Sequence, residues 1–459
     1  MPDTAIPATA GVPYTVAQTA ATEWVKILAG ISREDKRVTQ QPTLARRLTT
    51  VDAVVIGLGS MIGAGVFVAF APAANAAGNR FLIGLAIAAF VAYCNAIASA
   101  QLAATYPAAG GTYVYGRKQL GEWWGYLAGW GFVIGKTASC AAMAMTIAAY
   151  AAPDSRWLQR VVAVAAVVAL TMLNGRGVTR TATMARVFVT ISLTCLAIVI
   201  GAILVSGEVS TSYLDWDAGG NDLYGVLQSA GLLFFAFAGY ARIATLGEEV
   251  IDPARTIPRA IPIALGITVA IYLVIGVTLL LALGPDRLAD ATAPAALAAE
   301  VTGNAWAEPV VRVGAIVAAL GALLALIAGI GRTALAMARE HDLPSWLGEI
   351  HPVTRVPWRA ELVVAGVVIV VVLAADIRNA IGFSSFGVLL YYAVTNASAW
   401  RQTGPDRRWP KAFNAIGLAG CLVLVVTLPP GAVLAGLAMF AVGIGWRLVA
   451  LHARPESAG

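Results

Sequence analysis

The sequence predicts an all-α integral membrane protein of twelve transmembrane helices, the first and sixth of them discontinuous. Three observations carry that prediction. Of the 459 residues, 59% are apolar and 12% charged, with a mean hydropathy of +0.76, whereas a soluble chain carries about 25% charge. Apolar runs of about 20 residues, the length that crosses a bilayer, recur along the chain. Helix-weakening residues interrupt two of those runs, the first and the sixth, at corresponding places.

Residues 1–42 are polar and weakly periodic, with no basic stretch leading into an apolar core, so they are expected to be an N-terminal tail and not a cleavable signal. Within it Tyr14 to Leu28 has the pattern of a short amphipathic helix. The spans are expected near 51–72, 81–105, 123–150, 157–174, 185–206, 224–248, 258–284, 309–338, 360–376, 379–400, 411–428 and 430–450. Residues 43–454 then form one membrane domain. An inverted five-plus-five repeat covers roughly 43–206 and 224–400, and two extra helices occupy 411–450.

Charge orients the chain. With the N-terminus in the cytoplasm, 23 of the 31 Lys and Arg residues fall on cytoplasmic segments, which is the positive-inside bias. Both termini are then cytoplasmic. The loop from Gly207 to Leu223 carries Glu208, Asp215, Asp217 and Asp222 and no Lys or Arg, so it faces outward. A net charge of +6 spread over helix ends is topology, not a nucleic-acid surface. Cys94, Cys140, Cys195 and Cys421 lie in apolar stretches at spacings that match no metal or disulfide pattern, and read as small buried hydrophobes.

The first run reads "VVIGLGSMIGAGVFV", with Gly57, Gly59, Gly63 and Gly65 inside it; each glycine weakens a helix by roughly 1 kcal/mol. The sixth reads "LLFFAFAGYARIATLGEEV", where Ala238-Gly239 interrupts an aromatic helix and Arg242 follows. A broken helix exposes backbone groups that cost several kcal/mol each in lipid, so the breaks must be buried in protein and filled. Free N–H groups at a half-helix start suit a carboxylate; free carbonyls at a half-helix end suit an ammonium. A zwitterionic amino acid meets both demands. The N–H donors are expected from Gly63, Ala64 and Gly65, and the carbonyls from Met61, Phe235, Ala236 and Ala238.

"GSMIGAGVF" in the first run resembles the first-helix motif of the amino acid-polyamine-organocation superfamily, and "FFAFAGYARIATLGEEVIDPARTIPRAIP" resembles its sixth-helix signature. "YPAAGGTYVYGRKQLGEWWGYLAGW" and "MAREHDLPSWLGEIHPVTRVPWRAEL" extend the resemblance, which covers about Thr43 to Trp400. It implies a secondary active transporter with the LeuT-type fold, working by alternating access. It also implies that Met61, Gly63, Ala64 and Gly65 hold the substrate carboxyl end, that Phe235, Ala236 and Ala238 lie near its amino group, and that Phe235 is an aromatic gate. Where several carriers of cationic substrates in the superfamily have an acidic residue after the Gly-aromatic pair, this chain has Gly239-Tyr240-Ala241-Arg242. A cation there disfavours cationic amino acids and polyamines, and favours neutral or acidic ones.

Lys136, in "GFVIGKTASCAAM" of the third run, is a charge at midspan, where such residues are costly and mark function. Many relatives place a lysine on the fifth span in the role of a sodium ion; here that span offers Thr190, Ser192 and Thr194, and Lys136 is the expected substitute. From Val313 to Gly331 the eighth run lacks the oxygen ligands that sodium requires. Proton symport is therefore expected, with amino acid exchange as the alternative, and no metal or cofactor. Arg242, Glu248 and Glu249 are candidate gating residues, with Asp252-Pro253 and Thr256 capping the seventh helix and Gly110-Gly111 introducing a short helix before the third. His341, His351 and His452 form no ligand pair, and no catalytic motif occurs, so an enzyme is disfavoured. A transport-silent amino acid sensor on the same scaffold remains a possible alternative, and the oligomeric state is left open.

Overall fold

In a computed structural model of the chain, the described residues are 48–107, 110–175, 181–215, 222–247, 249–303, 306–354, 356–404 and 407–452, with the side chains of 181–183 and 185 also set aside. The predicted tail, its Tyr14–Leu28 segment and Glu248 fall outside them. Helix α1 (Thr50–Met61) begins in a capping box: Thr49 Oγ1 accepts the Asp52 N–H and Asp52 Oδ2 accepts the Thr49 N–H, which satisfies two of the donors a helix start leaves free. The run then breaks at Ile62 and resumes as α2 (Gly65–Val68) and α3 (Phe70–Ala77). A 3₁₀ turn at Gly78–Arg80 leads into α4 (Phe81–Thr105).

The short helix α5 (Thr112–Leu120) follows Gly111, whose φ of +54° lies in the left-handed region that glycine enters freely. Then come α6 (Glu122–Ala151), α7 (Arg156–Asn174) and α8 (Thr181–Val205). Next come α9 (Leu223–Phe237), a 3₁₀ turn at Ala238–Tyr240, α10 (Ala241–Ala244), α11 (Pro253–Asp290), α12 (Pro294–Val301), α13 (Ala307–Arg339), α14 (Trp358–Ala374) and α15 (Ile377–Arg401). Helices α16 (Lys411–Thr427) and α17 (Pro430–His452) end the described chain. No strand occurs among the described residues, only an isolated parallel bridge between Leu48 and Val250.

Among the described residues, ten helical segments are long and apolar enough to cross a membrane. The ninth and eleventh predicted runs became α14 and α16, each of 17 residues, or about 25 Å at 1.5 Å per residue, shorter than a full apolar crossing. Helix α11 departs in the other direction. Its 38 residues bend at Gly284 (φ 71°, ψ 172°), where Pro285 withdraws a donor, and Tyr213 packs on Gly284 from the preceding loop. Asp252 does not cap this helix with its side chain, contrary to expectation; it sits at φ 47° and pairs loosely with Arg255, while Pro253 supplies the helical start. Cys195 is half-buried rather than buried like the other three cysteines.

Close packing is arranged by small residues, as in other membrane bundles. Helices α6 and α15 cross where a Cβ on Gly387 would fall 2.7 Å from the Gly131 carbonyl oxygen and 3.0 Å from Gly135 Cα. One turn on, Ser139 Oγ and Ser384 Oγ are 2.6 Å apart. Both hydroxyls are buried, so the seam is apolar in shape and hydrogen-bonded at its end.

One charged knot fastens the arginine-rich face. Asp342, in the turn after α13, is bound by Arg447 of α17 at 2.7 Å, by Arg117 of α5 at 3.1 Å and by the Tyr113 hydroxyl at 2.8 Å. Arg447 is only 2% exposed and lies between the Trp123 and Tyr126 rings at 4.7 and 4.6 Å. Burial, and then the adjacent Asp342 carboxylate, push the Tyr113 phenol up, so it stays a donor. Tyr126 and Trp130 donate to the Gly443 and Met439 carbonyls, so α17 is bolted along the first half of α6.

Removing one member of a buried ion pair costs about 3–5 kcal/mol. Because Asp342 keeps Arg117, Arg447→Leu is expected at the low end of that range, read as a lowered unfolding midpoint of the detergent-solubilised protein. Gly266→Ala, where an added Cβ meets nothing within 4 Å, is the control, and a helical alanine there should not lower the midpoint.

Candidate substrate and coupling site

The interruption after α1 is a turn of defined geometry. Ile62 has φ −81° and ψ 65°, the inverse γ-turn conformation, and the Gly63 N–H returns to the Met61 carbonyl at 2.9 Å. Ala64 is already helical, and Gly65 opens the second half-helix. Among the described residues the N–H groups of Ala64, Gly65 and Val66 make no backbone hydrogen bond. The donors expected at Ala64 and Gly65 are therefore free of the ladder, and the one at Gly63 is used by the turn.

The sixth segment is interrupted where expected, at Ala238-Gly239, but the chain tightens there into one 3₁₀ turn instead of unwinding. Ala238 (φ −66°, ψ 3°) and Tyr240 (φ −64°, ψ −20°) keep negative φ, so α10 follows α9 through a single tightened turn. Phe235 and Ala236 consequently lie inside α9, and only Ala238 lies at the interruption. The cause is local: Ala238 and Gly239 are small enough to tighten, whereas the first break contains two glycines around Ala64 and a γ-turn.

The two interruptions touch. A Cβ on Gly239 would fall 2.2 Å from the Ser60 carbonyl oxygen and 2.6 Å from the Met61 nitrogen, and a Cβ on Gly65 would fall 2.7 Å from Ala236 Cα. Gly63 faces Ala322 of α13 across a similar gap. Only glycine permits backbones this close. All seven residues expected to bind substrate are buried, so the site is closed in this conformation. Phe235 is 6% exposed and joins no ring pair among the described residues, while its neighbours Phe234 and Phe237 stack on Tyr392 and Tyr272.

Side chains from other helices hold the carbonyls at the junction. The Tyr272 hydroxyl of α11 lies 2.6 Å from the Met61 oxygen and 3.0 Å from the Ala236 oxygen; its single proton serves one at a time, so it links α1 to α9. Lys136 Nζ donates to the Ala238 oxygen at 3.0 Å, and the Tyr392 hydroxyl approaches the same oxygen at 3.4 Å. Lys136 is 4% exposed. Its ammonium thus serves the sixth-segment turn.

Two adjoining cavities lie on the arginine-rich side of the junction. Ser60, Arg242 and Arg332 line both; Lys136 lines one and Glu249 the other. Arg242 donates to Thr245 Oγ1 at 3.1 Å, and Arg332 of α13 pairs with Glu249 at 3.1 Å. Glu249 also belongs to the short segment whose backbone pairs with Leu48 just before α1. Tyr272, Tyr392 and Arg332 were not anticipated. The tyrosines sit in apolar runs where any aromatic packs, and Arg332 has no sequence neighbour that marks it as a gate; a cation one residue beyond the otherwise uncharged stretch of the eighth run was the only signal.

Tyr272→Phe removes one net hydrogen bond and is expected to cost about 1 kcal/mol. Gly239→Ala forces a methyl onto the Ser60 backbone and is expected to cost about 1–3 kcal/mol. Unfolding midpoints of the two purified variants test that order.

A family model described as amino acid permease matches residues 48–446. An uncharacterized transporter of Mycobacterium tuberculosis is 57% identical over 420 residues, covering 91% of this chain and 94% of the relative. Cationic amino acid transporter 4 of Homo sapiens is 27% identical over 388 residues (78% of this chain, 60% of the relative), and the branched-chain amino acid permease BcaP of Bacillus subtilis is 24% identical over 343 (70% and 73%). A multi-pass membrane protein with this match over most of its length belongs to the amino acid permease family, within the amino acid-polyamine-organocation superfamily.

Proposed function

We propose that the protein is a secondary active transporter that moves a neutral or acidic amino acid across the cytoplasmic membrane by alternating access, coupled to protons. The observation that carries this reading is the junction itself: N–H groups at Ala64 and Gly65 without backbone partners, on a segment packed against Ala236, and carbonyls of Met61, Ala236 and Ala238 that take side-chain donors from other helices. The N–H groups suit a carboxylate at the start of the Gly65 half-helix. A substrate ammonium would take the place of Tyr272 or Lys136 on the carbonyls. Met61, Gly63, Ala64, Gly65, Phe235, Ala236 and Ala238 are the substrate-binding set, with α14 and α16 as the ninth and eleventh of twelve spans and the first ten arranged as an inverted repeat.

In this reading the arginine-rich face is cytoplasmic and both termini lie on that side. The two cavities lead from the junction to that face, with Arg242 and the Arg332–Glu249 pair at the gate. Lys136 is the coupling group: its ammonium holds the Ala238 carbonyl as a bound cation would, and a buried lysine exchanges its proton more readily than an exposed one.

The cavities also bear on substrate class. Lys136, Arg242 and Arg332 face one carboxylate, Glu249, which is already paired. A cationic side chain leaving by this route meets like charge in a low dielectric. Relatives named for cationic amino acids favour the alternative, an exchanger that accepts cationic substrates or polyamines, but the charge of the exit route argues against it for this chain. The deciding measurement is counterflow and net uptake of a panel of labelled amino acids by vesicles containing the purified protein, with and without an inward acid gradient. Neutral or acidic amino acids are expected to exchange and to accumulate with the gradient; binding without any counterflow would make the protein a sensor. Lys136→Ala is expected to abolish the gradient dependence, and an unchanged pH profile would remove Lys136 from coupling.

A further inference from the structure

Glu361 stands in the first turn of α14, is 2% exposed and lines neither cavity. Its side chain lies on α13 at Gly331, where a Cβ would come 3.0 Å from Glu361 Cγ and 3.6 Å from Oε1. The glycine makes the room that the carboxyl occupies. The Glu361 carboxyl makes no hydrogen bond or ion pair with a described residue, and a buried carboxylate without a partner carries a desolvation penalty that the neutral acid avoids.

The charges around it are few. From α13, Arg332 follows the very residue that Glu361 touches and is the charged group acting on it; Arg339 lies two turns further on. From α6, Lys136 is bound to the Ala238 carbonyl. Beyond the 3₁₀ turn at Ser345–Gly348, Glu349 is taken by Arg359 at 2.6 Å. Helix α7 brings no charged residue to this end. Arg332 therefore stands between two carboxyls: Glu249, which it binds, and Glu361, which it does not.

We propose that Glu361 is a proton-carrying carboxyl that works the gate on the arginine-rich face by competing with Glu249 for Arg332. The proposal rests on the transporter reading for its purpose, though not for its test. With its proton, Glu361 lies neutral on Gly331 and Arg332 holds Glu249, which ties α13 to the segment joined to the start of α1. When the Glu361 O–H bond breaks and its proton is taken up by water, the carboxylate requires a counter-charge. Arg332 is the nearest. Its turn toward Glu361 releases Glu249 and, with it, the α1 and α10 side of the cavity. The guanidinium keeps its charge throughout, and no redox step is involved.

The experiment reads the gate directly, without a substrate. A cysteine replacing Ala328, which lines the larger of the two cavities with Arg332 and Glu249, is introduced into full-length protein lacking the half-buried Cys195. Its labelling by a membrane-impermeant thiol reagent is followed as pH is raised. On the Glu361 background the rate is expected to rise at least about fivefold, the lower bound of a useful coupling. Glu361→Gln is expected to label slowly at every pH, and Glu249→Gln fast at every pH. Glu361→Asp keeps a titrating group and should keep the pH response. The idea is overturned if Glu361→Gln follows the parental profile, if the parental protein shows no pH response, or if Glu361→Asp is as flat as Glu361→Gln, which would make the side chain a packing element. Failure of the transporter reading looks different: no counterflow in vesicles, whatever the labelling shows.

Discussion

A peptide group deprived of its hydrogen-bond partner in hydrocarbon costs several kcal/mol, and the turn at Ile62 creates that situation in the middle of a membrane-spanning segment. Much of the surrounding architecture answers this one constraint. The γ-turn recovers one donor within the chain; Tyr272 and Lys136 cover carbonyls from two other helices. The glycines at 65 and 239 then let the two interrupted segments approach until backbone touches backbone. The donors left over at Ala64 and Gly65 are the part of the problem that the chain's own backbone does not solve, and the proposed carboxylate site is read from that remainder.

The two interruptions solve the problem by different means, and the difference assigns them different work. The first breaks outright and leaves N–H groups free, so it can supply the strong polar interaction. The second tightens by one 3₁₀ turn and frees mainly the Ala238 oxygen, which Lys136 already takes. A segment that stays helical transmits a push along its axis better than a broken one. Arg242 and the Arg332–Glu249 contact sit at the end of that continuous rod, where a change at Ala238 can be felt.

How much of this was legible in the sequence follows from the range of each interaction. The break at Gly63 was readable because its cause is local: glycines at midspan have no use in a plain anchor. The position of the second interruption was readable for the same reason, but not its form, since 3₁₀ and unwound turns accept the same small residues. The tyrosines on the junction carbonyls were not readable, because Tyr272 lies 211 residues from Met61 and an apolar run gives no sign of which aromatic ring carries a useful hydroxyl. The knot at Asp342 was equally hidden. Its arginine comes from the last helix and its second from the short helix after α4, and nothing local in "REHD" marks one of its acids as buried. The twelve apolar runs were found, but two fold into helices of 17 residues, because end positions depend on loops that hydropathy does not see.

Buried charge in this chain falls into two kinds, separated by whether the partner can be exchanged. Asp342 is held by three groups on two elements, Tyr113 and Arg117 of α5 and Arg447 of α17, and Arg447 is further fixed between two aromatic rings. No single movement satisfies all of those contacts in a second arrangement, so the knot is a fixed point against which other parts can turn. Arg332 is different. It has one ion-pair partner, 23% exposed at its side chain, and a second carboxyl against the preceding glycine. In the switch proposed above Arg332 has a carboxyl on each of two separate elements and so two arrangements, and the fixed knot joining α5, α17 and the turn after α13 is the frame against which the Glu249 side would move.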